Sequence, residues 1–101
     1  NKMVRHVIVW SFKDELSAEE RTAAAKKIKT ELEALVGVVP GLKELTVITN
    51  PMDSSNVDLM LDSTIDTPEN YDVYKVHPAH VAAATYVRSV VKSRSCMDYE
   101  F

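Results

Sequence analysis

The chain has 101 residues, of which 46% are hydrophobic and 27% charged, with a formal charge of −3 at pH 7. That is the composition of one ordinary globular domain, spanning residues 1–101 with an ordered core from Met3 to Phe101, and large enough to bury a core. No basic run favours nucleic acid or an anionic membrane surface, and no apolar run is long enough to span a bilayer.

Met3 to Phe12 reads as a strand, with Val4, His6, Ile8, Trp10 and Phe12 on one face and Arg5, Val7, Val9 and Ser11 on the other. Both faces are largely apolar, so something must cover each of them. One layer of helices covers one face only, and a second subunit is the natural cover for the other. Ser17-Ala18-Glu19-Glu20 is a capping box that opens a helix with Ala24, Ile28, Leu32 and Leu35 at helical spacing. Gly37 terminates it, and Val38-Val39-Pro40-Gly41 turns the chain into a second strand, Leu42 to Thr49.

Asn50 to Asn56 is a loop and Val57 to Ile65 a third strand. Thr67-Pro68 starts a short helix that must stop at His77, because the residue before a proline is biased away from helical geometry. A further helix runs from Pro78 to about Lys92 and is expected to bury His80, Ala83, Ala84, Val87 and Val91. Ser95 to Phe101 closes the chain as a fourth strand. The order is β-α-β-β-α-β, which predicts a ferredoxin-like α+β fold with a four-stranded antiparallel sheet and helices on one face. Two such sheets packed face to face predict a homodimeric α+β barrel.

Chemistry concentrates in Tyr74-Lys75-Val76-His77-Pro78-Ala79-His80, which places a phenol and two imidazoles within seven residues. Histidine titrates near neutral pH, so this pair is where proton chemistry is expected. An unbroken helix would set Tyr74 and His80 about 120° apart, and the break at Pro78 lets them converge. The remaining histidine, His6, shares a face with Ile8 and Trp10. His77 and His80 with His6 do not make a persuasive zinc triad, since the proline disrupts the shared face, and no metal site is expected from side chains. Trp10, Leu61, Tyr86 and Val91 are candidates to line an apolar pocket between sheet and helices. The single Cys96 excludes an internal disulfide and fits a reducing, cytoplasmic location, as does the lack of a signal-peptide pattern. Asn1 is no initiator, so Met3 is the expected native start. With only two glycines, no Gly-rich phosphate loop is present.

Met3-Val4-Arg5-His6-Val7-Ile8-Val9, Val39-Pro40-Gly41-Leu42, His77-Pro78-Ala79-His80 and Asp98-Tyr99-Glu100-Phe101, in this order and spacing, resemble the stress-responsive dimeric A/B barrel (Dabb) family along essentially the whole chain. The resemblance implies the same fold and a homodimer. One plant branch of that family contains a cofactor-free polyketide cyclase whose catalytic tyrosine and histidine match Tyr74 and His80, with a pocket histidine matching His6. That branch also has a tyrosine on its first long helix, whereas no tyrosine occurs here between residues 13 and 70. The plant substrate is therefore not carried over. The resemblance further implies a Mg2+ site at the dimer interface, formed by backbone carbonyls matching Val36, Val39 and Leu42, and otherwise no cofactor.

The expected function is binding of a small apolar carbonyl-bearing or aromatic molecule, with His80 as general base and Tyr74 as donor to a developing enolate. Cyclisation, isomerisation or aldol chemistry follows from such a site. The competing expectations are a non-enzymatic, stress-associated structural dimer and a cofactor-free monooxygenase-type barrel, the latter on fold analogy alone.

Overall fold

Alternation decides the sheet. In a computed structural model describing residues 2–101, Val4, His6, Ile8, Trp10 and Phe12 are buried while the residues between them are half-buried, which defines β1 (Val4–Phe12). Asn1, expected to precede a native start at Met3, lies outside the described residues. Then follow α1 (Ala18–Glu33), β2 (Leu42–Ile48), β3 (Leu59–Ile65), α2 (Pro68–Val76), α3 (Pro78–Val90) and β4 (Val91–Glu100). The strands lie in the order β2-β3-β1-β4, every neighbouring pair antiparallel, giving the ferredoxin-like α+β fold that the element order predicts. Among the described residues no helix is long and apolar enough to cross a membrane.

Local chemistry sets the helix starts. The Ser17 hydroxyl accepts the Glu20 N–H at 3.1 Å while the Glu20 carboxylate accepts the Ser17 N–H at 2.9 Å, so two otherwise unpaired donors are satisfied reciprocally. Thr67 Oγ1 accepts the Asn70 N–H at 3.1 Å ahead of α2, and Pro68 opens the helix where its missing N–H costs nothing. Ala24, Ile28 and Leu32 of α1 and Ala83 and Val87 of α3 pack against the buried face of the sheet, which Leu45, Val47, Leu59, Leu61 and Ile65 complete.

Several boundaries differ from the sequence reading: β1 begins at Val4 rather than Met3, β2 ends at Ile48 rather than Thr49, and β3 begins at Leu59 rather than Val57. α3 ends at Val90, short of Lys92, and β4 begins at Val91, ahead of Ser95. Val91 pairs with Phe12 after a register shift between Ser11 and Phe12, so long-range pairing with β1 claims residues whose apolar spacing continues the helix. α1 also ends at Glu33, and the chain reaches Gly37, at φ +89°, through a series of turns. Of the α3 residues expected to be buried, Ala83 and Val87 are, whereas His80, Ala84 and Val91 are half-buried.

The opposite face of the sheet carries Val7, Val9, Met60 and Met97, with Tyr99 across from Arg5 and Asp62 across from Val7. Met97 is 69% exposed and Tyr99 47% exposed, so the apolar stripe on this face is left uncovered by the helices.

Candidate functional site

The site is built at the break between α2 and α3. His77, held at φ −61° and ψ 131° by the following proline, ends one helix and starts the next. Its N–H donates to Tyr74 O at 3.3 Å, and its Nδ1 accepts the Ala79 N–H at 3.1 Å. His77 is thus a cap. Beyond it, His80 Nδ1 lies 3.3 Å from the Lys75 carbonyl, so the ring donates there and leaves Nε2 with its lone pair free. The His80 ring packs on Tyr74 with centroids 4.2 Å apart. The proline break therefore brings Tyr74 and His80 together.

A cavity of about 480 Å³ lies between the sheet and α3, a size typical of small-molecule sites. Its walls include Tyr74 and His80, and also His6, Ile8, Trp10, Leu61 and Val91. Tyr86 is the correction. It sits one residue before the core-facing Val87, roughly 100° around the helix, and turns towards α1, where Lys27 Nζ lies 4.8 Å from its ring centroid. Tyr74 is 1% exposed, and its hydroxyl is buried with no hydrogen-bond partner. A buried hydroxyl without a partner costs free energy, so this one marks either a strain or a place for a ligand.

His6 is anchored differently from His80. Antiparallel pairing sets it opposite Asp98, whose Oδ1 lies 2.5 Å from His6 Nδ1. Tyr71 Oη donates to Asp98 Oδ2 at 2.7 Å and lies 3.0 Å from His6 Nδ1. Burial lowers the pKa of His6 against the raising effect of Asp98, and burial likewise lowers that of His80. Both imidazoles are therefore neutral at neutral pH. Burial opposes ionisation of Asp98, yet the hydrogen bonds from Tyr71 and His6 hold its carboxyl below the usual range. Burial pushes both tyrosine phenols far up, so Tyr71 and Tyr74 are hydrogen-bond donors that keep their protons.

Tyr71 and Asp98 escape the sequence reading. Tyr71 was detectable in principle, being three residues before Tyr74 and so on the same helix face. Asp98 was not, because its meeting with His6 depends on the β1–β4 register. Cys96 Sγ is 3.4 Å from Asp98 Oδ1 and 3.8 Å from His6 Nδ1. His6, Cys96 and Asp98 thus offer three metal-ligating atoms within 4.8 Å of one another. Here the same atoms are joined by hydrogen bonds, and burial keeps Cys96 a thiol. The carbonyls named for magnesium lie at the turn between α1 and β2, where that of Val39 already accepts the Leu42 N–H at 3.3 Å. Nothing in the structure of this segment supports a Mg2+ site at Val36, Val39 and Leu42.

The family described as "Stress responsive A/B Barrel Domain" matches residues 4–101. Olivetolic acid cyclase of Cannabis sativa is 27% identical over 99 residues, covering 95% of this chain and 94% of that protein. Among solved structures, a dimeric, ferredoxin-like protein of unknown function from Bacteroides fragilis superposes with a TM-score of 0.91 at 29% identity, over 98% of this chain and 96% of the other. A hydroxynitrile lyase from Passiflora edulis superposes with a TM-score of 0.80 at 16% identity, over 99% and 94% of the two chains.

Proposed function

The chain belongs to the stress-responsive A/B barrel domain family, and from that premise we propose that it binds a small, largely apolar carbonyl compound in the cavity and catalyses cofactor-free proton transfer on it. The observation that carries this reading is the Tyr74 hydroxyl, buried and unpartnered beside the neutral His80 ring. His80 Nε2 removes a proton from the carbon next to the carbonyl, and the electron pair moves onto the carbonyl oxygen. Tyr74 Oη donates a hydrogen bond to that oxygen as its charge develops, where a fixed donor contributes most. The proton then returns from His80 to the substrate skeleton, either to carbon for isomerisation or to the new alkoxide for an aldol-type cyclisation. His6, with Nδ1 held by Asp98, presents its second nitrogen as a further polar contact. The cyclase relative supports this reaction class, and its substrate is not transferred.

The protein acts as a homodimer in this reading. The uncovered stripe of Val7, Val9, Met60 and Met97 supports a sheet-to-sheet interface, and the similar bacterial structure is described as dimeric. A cytoplasmic location suits the free thiol of Cys96.

Deuterium incorporation from D2O into an aryl methyl ketone, followed by NMR, tests the chemistry. His80→Ala should slow exchange about 10²-fold or more while the amide spectrum stays native. Unchanged exchange in a folded variant would sink the proposal. Native mass spectrometry of the same samples reads the assembly, and a monomer alone would remove the dimer from it.

A further inference from the structure

The charges around the cavity are one-sided. The chain carries a net −3, yet the residues bordering the cavity include Lys75, Arg88, Lys92 and Arg94 and no carboxylate. The two lysines have partners of their own: Lys75 Nζ lies 3.0 Å from Asp72 Oδ1, and Lys92 Nζ 2.6 Å from Asp14 Oδ1. The two arginines have no carboxylate partner, and Arg94 reaches the Cys96 thiol. Among the described residues neither Arg88 nor Arg94 forms an ion pair, and Arg88 makes only a 3.4 Å contact to Thr85 Oγ1. Asp98 pairs instead with His6 and Tyr71.

Position is as informative as charge. His80, Ala84 and Arg88 follow one another at a spacing of four residues, so they form a stripe on the cavity side of α3. Eight residues of helix put Arg88 about 12 Å along the axis from His80. Arg94 is paired with Trp10 across β1 and β4, which places it on the same sheet face as Trp10, Ile8 and His6. Both arginines therefore border the cavity that holds Tyr74 and His80, near enough for their charges to act on the His80 ring. A guanidinium fork matches a carboxylate geometrically as well as electrostatically, and among the described residues no carboxylate meets either of these two.

We propose that the natural ligand carries a carboxylate, held by Arg88 and Arg94 at the border of the cavity in which its carbonyl meets Tyr74 and His80. The inference rests on the proposed carbonyl-binding role of the cavity and specifies its substrate class: a keto acid.

The test is an NMR titration with 4-acetylbenzoate and its methyl ester, which share ring and ketone and differ in charge. At low ionic strength the acid should bind about tenfold more tightly than the ester, the size of one partly exposed charge-assisted contact. Both ligands should shift the amides of Ile8, Tyr74 and Ala84. Arg94→Gln and Arg88→Gln should each shrink the difference between acid and ester with little effect on the ester, and Arg94→Lys should retain most of it. Added salt should weaken the acid only. Equal binding of acid and ester, with the same cavity shifts, overturns the carboxylate assignment and leaves the cavity reading standing. Unaltered acid preference in both glutamine variants also overturns it. If neither ligand moves the cavity amides, the cavity reading itself fails, and this inference with it.

Discussion

Replacing Tyr74 by Phe should make the ligand-free protein more stable while removing the proposed proton-transfer activity. The ring is 1% exposed and packs on His80 at 4.2 Å and near Tyr71 at 6.1 Å, contacts that phenylalanine reproduces. What the substitution removes is a buried hydroxyl with no partner, a group whose burial costs about 1–3 kcal/mol. The small void left behind offsets part of the gain, so a net stabilisation of about 1 kcal/mol is expected. For a domain of this size that corresponds to a rise of about 4–8 °C in Tm. Circular dichroism melts at one fixed protein concentration measure it, the concentration being held because a dimer's Tm depends on it. Ketone exchange in the same variant should fall to near background. A lower Tm would mean that the hydroxyl has a stabilising partner in solution, and the reasoning from an unpartnered donor would then be wrong.

Two further predictions concern protons and turns. The histidines have a reference pKa of 6.5, and burial lowers those of His6 and His80, so the unfolded chain takes up protons that the folded chain resists. Stability is then full above about pH 7 and falls as pH drops below 6.5 towards the folded values, with Asp98 adding a loss at lower pH still. Tm measured against pH should show this slope, and His80→Gln should flatten part of it; a Tm that rises on acidification contradicts the assignment. At the turns, Gly37→Ala should cost about 1 kcal/mol in urea unfolding, because φ is +89° but no atom lies within 4 Å of the added carbon. Gly41→Ala should cost more than about 2 kcal/mol, since φ is +80° and the new carbon meets Asn70 Nδ2 at 2.5 Å and Asn70 Cβ at 2.7 Å. Equal costs would show that the crowding at Gly41 relaxes.

What the sequence made legible follows from the range of each interaction. β1 could be read because its alternation is local, and the helix starts could be read because Ser17 and Thr67 cap the backbone beside them and Pro78 opens α3. The convergence of Tyr74 with His80 was legible for the same reason, since one proline decides it. The start of β4 was not. Val87 and Val91 have helical spacing, and only pairing with Phe12, far away in sequence, makes Val91 a strand residue. Asp98 is the sharper case. It lies 92 residues from His6, and a shift of one residue in the β1–β4 register would turn it to the other face. Tyr86 failed for a smaller reason: a single step along a helix turned it from the cavity to α1.

The two neutral histidines are held by unlike means, and that difference bears on how such a site can change. His80 is fixed by the backbone carbonyl of Lys75, so any side chain at position 75 leaves the anchor in place. His6 is fixed by the side chain of Asp98, and one substitution on β4 releases it. The arginine border is more open still, because Arg88 and Arg94 are exposed and carry no part of the core. A scaffold of this kind keeps His80 in position while the arginines around the cavity are free to change. The fold is retained at 29% identity to the bacterial structure, yet the tyrosine that the plant branch carries on its first long helix has no counterpart among residues 13–70. In the proposed reading, substrate choice rests with residues around the His80 base, and Arg94, opposite Trp10 on the last strand, is the one that the keto-acid titration tests.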